Sequence, residues 1–233
     1  MDDVQRHFLN LTKEQEMMAI ALDHGLSAMR DVAKDTLNTI GDASNRILRL
    51  GYSYVFDEQE FNTILDEDKR LTMAIWQFTE NKNPLQDVIQ TYLDLTLRNK
   101  TEKEVSDIYS IIEKSIGFGA KYSTKKLTKM VMIEILCQVL YKSIIYSPVV
   151  LKRVKALSNV LLAVGGIYGR SEQAAFVAQQ LKIVYPEYYY ALYNKGIEML
   201  YFIPKPKMDK GIYVVDGYSS SSDIMNAILD MLV

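Results

Sequence analysis

Few residues in this 233-residue chain have the types and spacing that chemistry requires. The two histidines, His7 and His24, stand far apart and outside any HExxH frame, so a histidine metal site is not expected. Gly117-Phe-Gly119-Ala-Lys121 matches the first two glycines of a dinucleotide fingerprint and then fails. It follows a helical pattern and not a strand, so it reads as a helix stop. Gly217-Tyr-Ser-Ser-Ser221 offers the serine of a nucleophile elbow without the closing glycine or the α/β surroundings. There is no Walker A sequence. Asp57, Glu58, Asp66 and Asp68 supply carboxylates for acid–base work, but a run of acids on a helix reads more simply as a solvated face. The single cysteine, Cys137, excludes an internal disulfide and a multi-cysteine metal site, and its apolar neighbours make it a small buried hydrophobe. The expectation is a protein that is not an enzyme and holds no cofactor and no metal.

One polar set with regular spacing remains. Glu134, Gln138 and Lys142 recur at i, i+4 and i+8 in an otherwise apolar run and so line one stripe of a helix. That run belongs to Leu127–Gly169, two apolar stretches (Met130–Ile145 and Val149–Ile167) that meet at Ser147-Pro148. Met130–Leu151 has the roughly 20 residues that a transmembrane helix needs. Each central charge costs about 2.5–3.5 kcal/mol there, against about 0.3–0.6 returned by each Leu or Ile, so insertion is marginal. If it inserts, Glu134, Gln138, Lys142, Ser158 and Asn159 are the candidate pore-lining positions, because intramembrane polar residues face a water-filled path. Gly165, Gly166 and Gly169 allow close helix packing. If it does not insert, a helix apolar nearly all round is the central helix of a globular core. Both readings stay open on pattern alone.

The elements around this pair read as helices throughout. Thr12-Lys-Glu-Gln15 and Thr101-Glu-Lys-Glu104 are capping boxes. Leu85, Val88, Ile89, Tyr92 and Leu93 make one helix face, interrupted near its end by Thr96. Pro186 opens a helix that is expected to run to Ile203 and stop at Pro204. Ile212–Val215 reads as a short extended piece, and Asp223 as the cap of a last helix. The expected fold is all-α, a single helical bundle of roughly ten helices around a central apolar helical hairpin. Residues 1–116 form an amino-terminal helical region and 117–233 carry the hairpin and aromatic-rich helices, as one continuous domain divided at most by the Gly117–Ser123 bend.

The net charge of −2 makes no case for nucleic-acid binding, but it hides an asymmetry. The amino-terminal half is acidic, while the central segment is basic, with Lys125, Lys126, Lys129, Lys152, Arg153 and Lys155 flanking the apolar pair. Such a split suits an anionic surface, or two halves that neutralise each other. The amino terminus has no basic n-region before an apolar core, so export without a cleavable signal peptide is the expectation. Tyr185-Pro-Glu-Tyr188-Tyr189-Tyr190-Ala-Leu-Tyr193 suits either a membrane–water boundary or a protein interface, since tyrosine has an apolar body and a polar tip.

The order of basic lead-in, apolar helix, glycine-containing second helix, Tyr185-Pro-Glu-Tyr188-Tyr189, and Glu198-Met-Leu-Tyr-Phe-Ile203-Pro204 resembles the pore-forming or ionophore toxin domains that bacteria deliver into competitors. These are type VI secreted effectors or contact-dependent inhibition toxins, and the likeness covers residues 115–206. It implies a protein made in the bacterial cytoplasm that acts at the inner membrane of a target cell and dissipates its potential. The implied partners are that membrane, a cognate immunity protein, a secretion apparatus and, within the membrane, further copies of the chain. Tyr185, Tyr188, Tyr189 and Tyr193 would then join the basic residues at the membrane interface. The general plan also resembles pore-forming colicins, from which Glu134, Lys142 and Pro148 depart. The alternative is an all-helical interaction protein, such as an immunity or adaptor protein, that binds through the Tyr185–Tyr193 face.

Overall fold

The computed structural model describes residues 66–67, 69–75, 77, 83–116, 127–153 and 166–232, with the side chains of 166–172 excepted. It is predominantly helical, and the described residues include no strand. The helices are α1 (Pro84–Leu97), α2 (Glu102–Ile116), α3 (Lys129–Ile145), α4 (Gly166–Val184), α5 (Pro186–Lys195), α6 (Lys205–Met208) and α7 (Ser221–Leu232). Short 3₁₀ segments lie at Glu198–Phe202 and Ile212–Val214, and residues 69–75 and 148–153 are also helical.

Local chemistry explains where three of these begin. Pro84 sits in the first turn of α1, and the Asn83 side chain accepts a hydrogen bond from the Gln86 amide at 3.2 Å. The capping box before α2 closes as its sequence requires. The Glu104 amide donates to Thr101 Oγ1 at 3.2 Å, and the Thr101 amide donates to Glu104 Oε2 at 2.8 Å. Before α7 the cap is three residues earlier than expected: Ser220 Oγ accepts from the Asp223 amide at 3.1 Å and donates to Asp223 Oδ2 at 2.7 Å. Asp223 is therefore the reciprocal partner in the first turn and not the cap.

α3 ends at Ile145 as the first apolar stretch does, and the longer run Met130–Leu151 is not one helix, because Pro148 has no N–H to give the Ile144 carbonyl. Ser147 takes that carbonyl instead, through its amide at 3.2 Å and its hydroxyl at 2.7 Å. The helix opened by Pro186 ends at Lys195 and does not reach Ile203. Gly196 adopts φ +68°, its amide donates to the Tyr193 carbonyl, and the Ile197 amide donates to the Leu192 carbonyl. This is a Schellman stop, and Ile197 and Leu192 are both fully buried beside it. Ile212–Val215, expected to be extended, winds into the 3₁₀ turn.

α3 packs against α1, α2 and α7. Met132, Ile133, Ile135, Leu136, Cys137, Leu140, Tyr141, Ile144 and Ile145 are buried on it. α1 contributes Leu85, Val88, Ile89, Tyr92, Leu93 and Leu97, and Thr96 is buried along with them. On the far side of α1 three buried tyrosines interlock edge to face, Tyr92 on Tyr188 with ring centroids 6.3 Å apart and Tyr188 on Tyr201 at 5.8 Å. Each phenol has a partner: Tyr92 donates to the Gly211 carbonyl, Tyr188 to the Val88 carbonyl and Tyr201 to Asp209 Oδ1. Burial pushes the ionisation of all three upward.

Candidate functional site

The tyrosine segment divides by helical geometry. On α5 the positions Tyr188 and Leu192 point inward and are fully buried. Tyr189 and Tyr193 stand at i and i+4 on the flank, with ring centroids 5.7 Å apart. Tyr190 points outward and is 49% exposed, and Tyr193 is 39% exposed. α4 packs on α5 and leaves Phe176, Ile183 and Val184 exposed, with Ile183 at 80%. Phe176 and Ile183, seven residues apart, share one face of that helix.

Polar side chains from three helical segments brace this corner. Arg70 lies with its guanidinium 3.5 Å from the centroid of the Tyr193 ring. The same group donates to both oxygens of Glu198, at 2.5 and 2.8 Å, and to the Tyr193 carbonyl at 2.9 Å. Glu198 is 2% exposed, so its charge is compensated inside the protein by Arg70. One turn earlier Glu67 accepts from Gln179 Nε2 of α4 at 2.7 Å. Lys182 Nζ lies 5.7 Å from the Tyr189 ring centroid and 5.9 Å from that of Tyr190. Three contacts thus tie α4, the helical segment before α1 and α5 together at this corner: Gln179 with Glu67, Arg70 with Tyr193, and Lys182 with Tyr189. Partial burial raises the Tyr189 phenol, and the nearby Glu198 carboxylate adds to it.

Of the residues singled out by sequence, Tyr189 and Tyr193 lie at this corner, and the other described ones do not converge there. Glu134 and Lys142 lie on the exposed side of α3, and Gln138 is half-buried, donating to Glu134 Oε1 at 3.1 Å. Lys129 caps the carboxyl end of α1, with its ammonium donating to the Arg98 carbonyl at 3.2 Å and the Lys100 carbonyl at 2.6 Å. Lys152 is exposed, whereas Arg153 donates to the Phe202 carbonyl. Tyr185 is half-buried between α4 and α5. Tyr188 belongs to the core and not to any surface. Gly166 and Gly169 lie in the first turn of α4. Lys125, Lys126, Lys155, Ser158, Asn159 and Gly165 lie outside the described residues, as do His7, His24, Asp57, Glu58, Asp68 and the Gly117–Gly119 stop. Among the described residues no group of His, Cys, Asp and Glu could hold a metal ion, and no helix is long and apolar enough to cross a membrane.

Two further residues are set by their surroundings. Burial pushes the Cys137 thiol up to about 12, helped by the Glu134, Asp94 and Asp87 carboxylates, which keeps it protonated and unreactive. Gly217 holds φ +76°, and a Cβ there would meet the Leu95 carbonyl oxygen at 2.7 Å. It is therefore a turn glycine holding the loop against the end of α1, where Arg98 donates to the Asp216 carbonyl and pairs with Glu187.

Arg70, Glu198, Gln179 and Lys182 were missed in the sequence. One signal was available for Glu198, a lone acid in the apolar run Ile197–Ile203. An ionisable residue in such a run needs a buried partner. Nothing in the sequence indicated that the partner is Arg70. No protein-family model, curated protein or solved structure matches this chain.

Proposed function

We propose that this chain is a helical protein-interaction module whose working surface is the α4–α5 corner. The observation that carries this reading is the exposed set Phe176, Ile183, Val184, Tyr190 and Tyr193, bordered by polar groups already locked in contacts with each other. Tyrosine and arginine concentrate binding energy at interfaces because they offer large area at little entropic cost when held rigid. Here Arg70, anchored on Glu198 and the Tyr193 carbonyl, braces the Tyr193 ring before any partner arrives. The buried face of α3 is covered by α1, α2 and α7, so its core residues offer no surface to a partner.

The test is site-specific photo-cross-linking in the native cell. Tyr190→p-benzoylphenylalanine is expected to trap one discrete protein, and Ile183→Asp is expected to abolish the adduct. Equal trapping from the exposed position Glu134, or none from Tyr190, would reject the proposal.

A second reading is an antibacterial effector that forms an ion-permeable lesion in a target cell's inner membrane, with an immunity protein and a secretion apparatus as its other partners. It is favoured by the one-sided stripe of α3, where Glu134 and Lys142 share exposure with Met130 and Val131. In this reading α3 would have to leave the three helices that cover it. Planar-bilayer recording with the purified chain tests it, and silence there together with unchanged membrane potential on periplasmic targeting counts against it.

A further inference from the structure

We propose that the α4–α5 corner receives a short acidic, amphipathic peptide segment of a partner protein, whose carboxylate meets Lys182 while its apolar side covers Ile183 and Tyr190. This rests on the reading of that corner as the working surface.

Lys182 is the cation around which the corner is arranged. Its ammonium is held over two tyrosine rings, and a cation–π contact uses the charge without consuming the three N–H donors. The other cations nearby are already engaged. Arg70 is taken by Glu198 and the Tyr193 carbonyl, Lys195 donates to Thr91 Oγ1 at 2.8 Å, and Arg98 pairs with Glu187. Among the described residues no carboxylate stands against Lys182. Its surroundings are apolar instead, with Ile183 80%, Val184 61% and Tyr190 49% exposed. A cation with no carboxylate or hydrogen-bond acceptor against it among the described residues, set among exposed apolar side chains, is complemented by a carboxylate on an apolar segment. Closing that surface would remove water from the pair and make it stronger than an open surface ion pair.

The size of the surface argues for a short occupant. Phe176 to Val184 spans about 13 Å of helix. Five exposed side chains fall well short of the roughly 800 Å² per partner that a stable dimer of folded domains requires. A second copy is disfavoured by charge as well, since a two-fold pairing of α4 on itself would draw two uncompensated Lys182 side chains to one patch.

The experiment is selection from a phage-displayed library of random peptides on the immobilised full chain. Selected peptides are then synthesised and titrated by fluorescence polarisation against wild type, Lys182→Glu, Tyr190→Ala and Glu134→Ala. We expect Asp or Glu flanked by aromatic or aliphatic residues, affinity about tenfold lower with Lys182→Glu, a comparable loss with Tyr190→Ala, none with Glu134→Ala, and weakening with salt. Peptides that depend on Tyr190 but are neutral or basic, or that ignore Lys182→Glu, overturn this proposal and leave the corner as an interaction surface. If no selected peptide depends on Tyr190, the interaction reading fails with it. Vesicles of phosphatidylethanolamine and phosphatidylglycerol form a parallel arm. Sedimentation with them that is lost in Lys182→Glu, without peptide binding, would make this a lipid-facing surface and overturn the proposal. Lys182 is exposed, so the variants should fold, and circular dichroism checks that they do.

Discussion

Arg70 and Glu198, 128 residues apart in sequence, form a two-point ion pair that ties the helical segment before α1 to the turn after α5. The Glu198 side chain is buried and the Arg70 side chain is three-quarters covered. Removing one partner of such a pair leaves a buried charge uncompensated, which costs about 3–5 kcal/mol. Arg70→Ala is therefore expected to lower unfolding stability by about 3 kcal/mol, the low end because Arg70 itself reaches solvent. The double variant Arg70→Met, Glu198→Met is expected to recover most of that loss in urea denaturation. Equal instability of the double variant would mean that packing, not charge compensation, is what Arg70 supplies.

The Glu104 carboxyl gives a pH-dependent stability with a definite sign. The hydrogen bond from the Thr101 amide, and then that from its hydroxyl, hold it below its ordinary value of 4.5. A carboxyl whose folded value is depressed adds stability above the unfolded value, and that stability is lost as pH falls through the folded value. The urea midpoint of wild type should thus exceed that of Glu104→Gln at pH 7, and the difference should shrink below about pH 4.5. A pH-independent difference would show that the side-chain amide caps α2 as well as the carboxylate does.

Cys137 should resist thiol reagents in the native protein. Its thiol is pushed up to about 12 and is fully buried on α3. Labelling by Ellman's reagent at pH 8 is expected to occur only through unfolding, so its rate should follow the urea concentration that opens the core. Rapid labelling without denaturant would mean that α3 leaves its neighbours in the folded ensemble, which is what the membrane-lesion reading needs.

The faces of α3 make opposite predictions. Leu136 is completely buried, and Leu136→Ala is expected to cost about 2–5 kcal/mol through lost contact and the cavity left behind. Glu134 and Lys142 are on the exposed side, and changing either to Ala should shift stability by less than about 0.5 kcal/mol. On the interaction reading these two changes also leave partner binding alone. A changed conductance in either variant would favour the lesion reading.

What the sequence determined by itself was local. The Thr101–Glu104 box, the Pro186 start and the apolar face of α1 all depend on short-range spacing, where backbone geometry leaves few alternatives. The predominantly helical character of the described residues follows from the same short-range periodicity. Local readings failed where two nearby residues competed for one role, as Ser220 and Asp223 did for the cap of α7, or where a glycine could either pass or stop a helix, as at Gly196. Only the tertiary structure decided which tyrosines are core and which are surface. Tyr188 and Tyr190 are two residues apart and chemically identical, and the packing of α5 against α1 and α4 buries one and exposes the other. It alone also joined Arg70 to Glu198 and set Lys182 over two rings, because the partner of a long side chain is whatever the neighbouring helix brings within its reach.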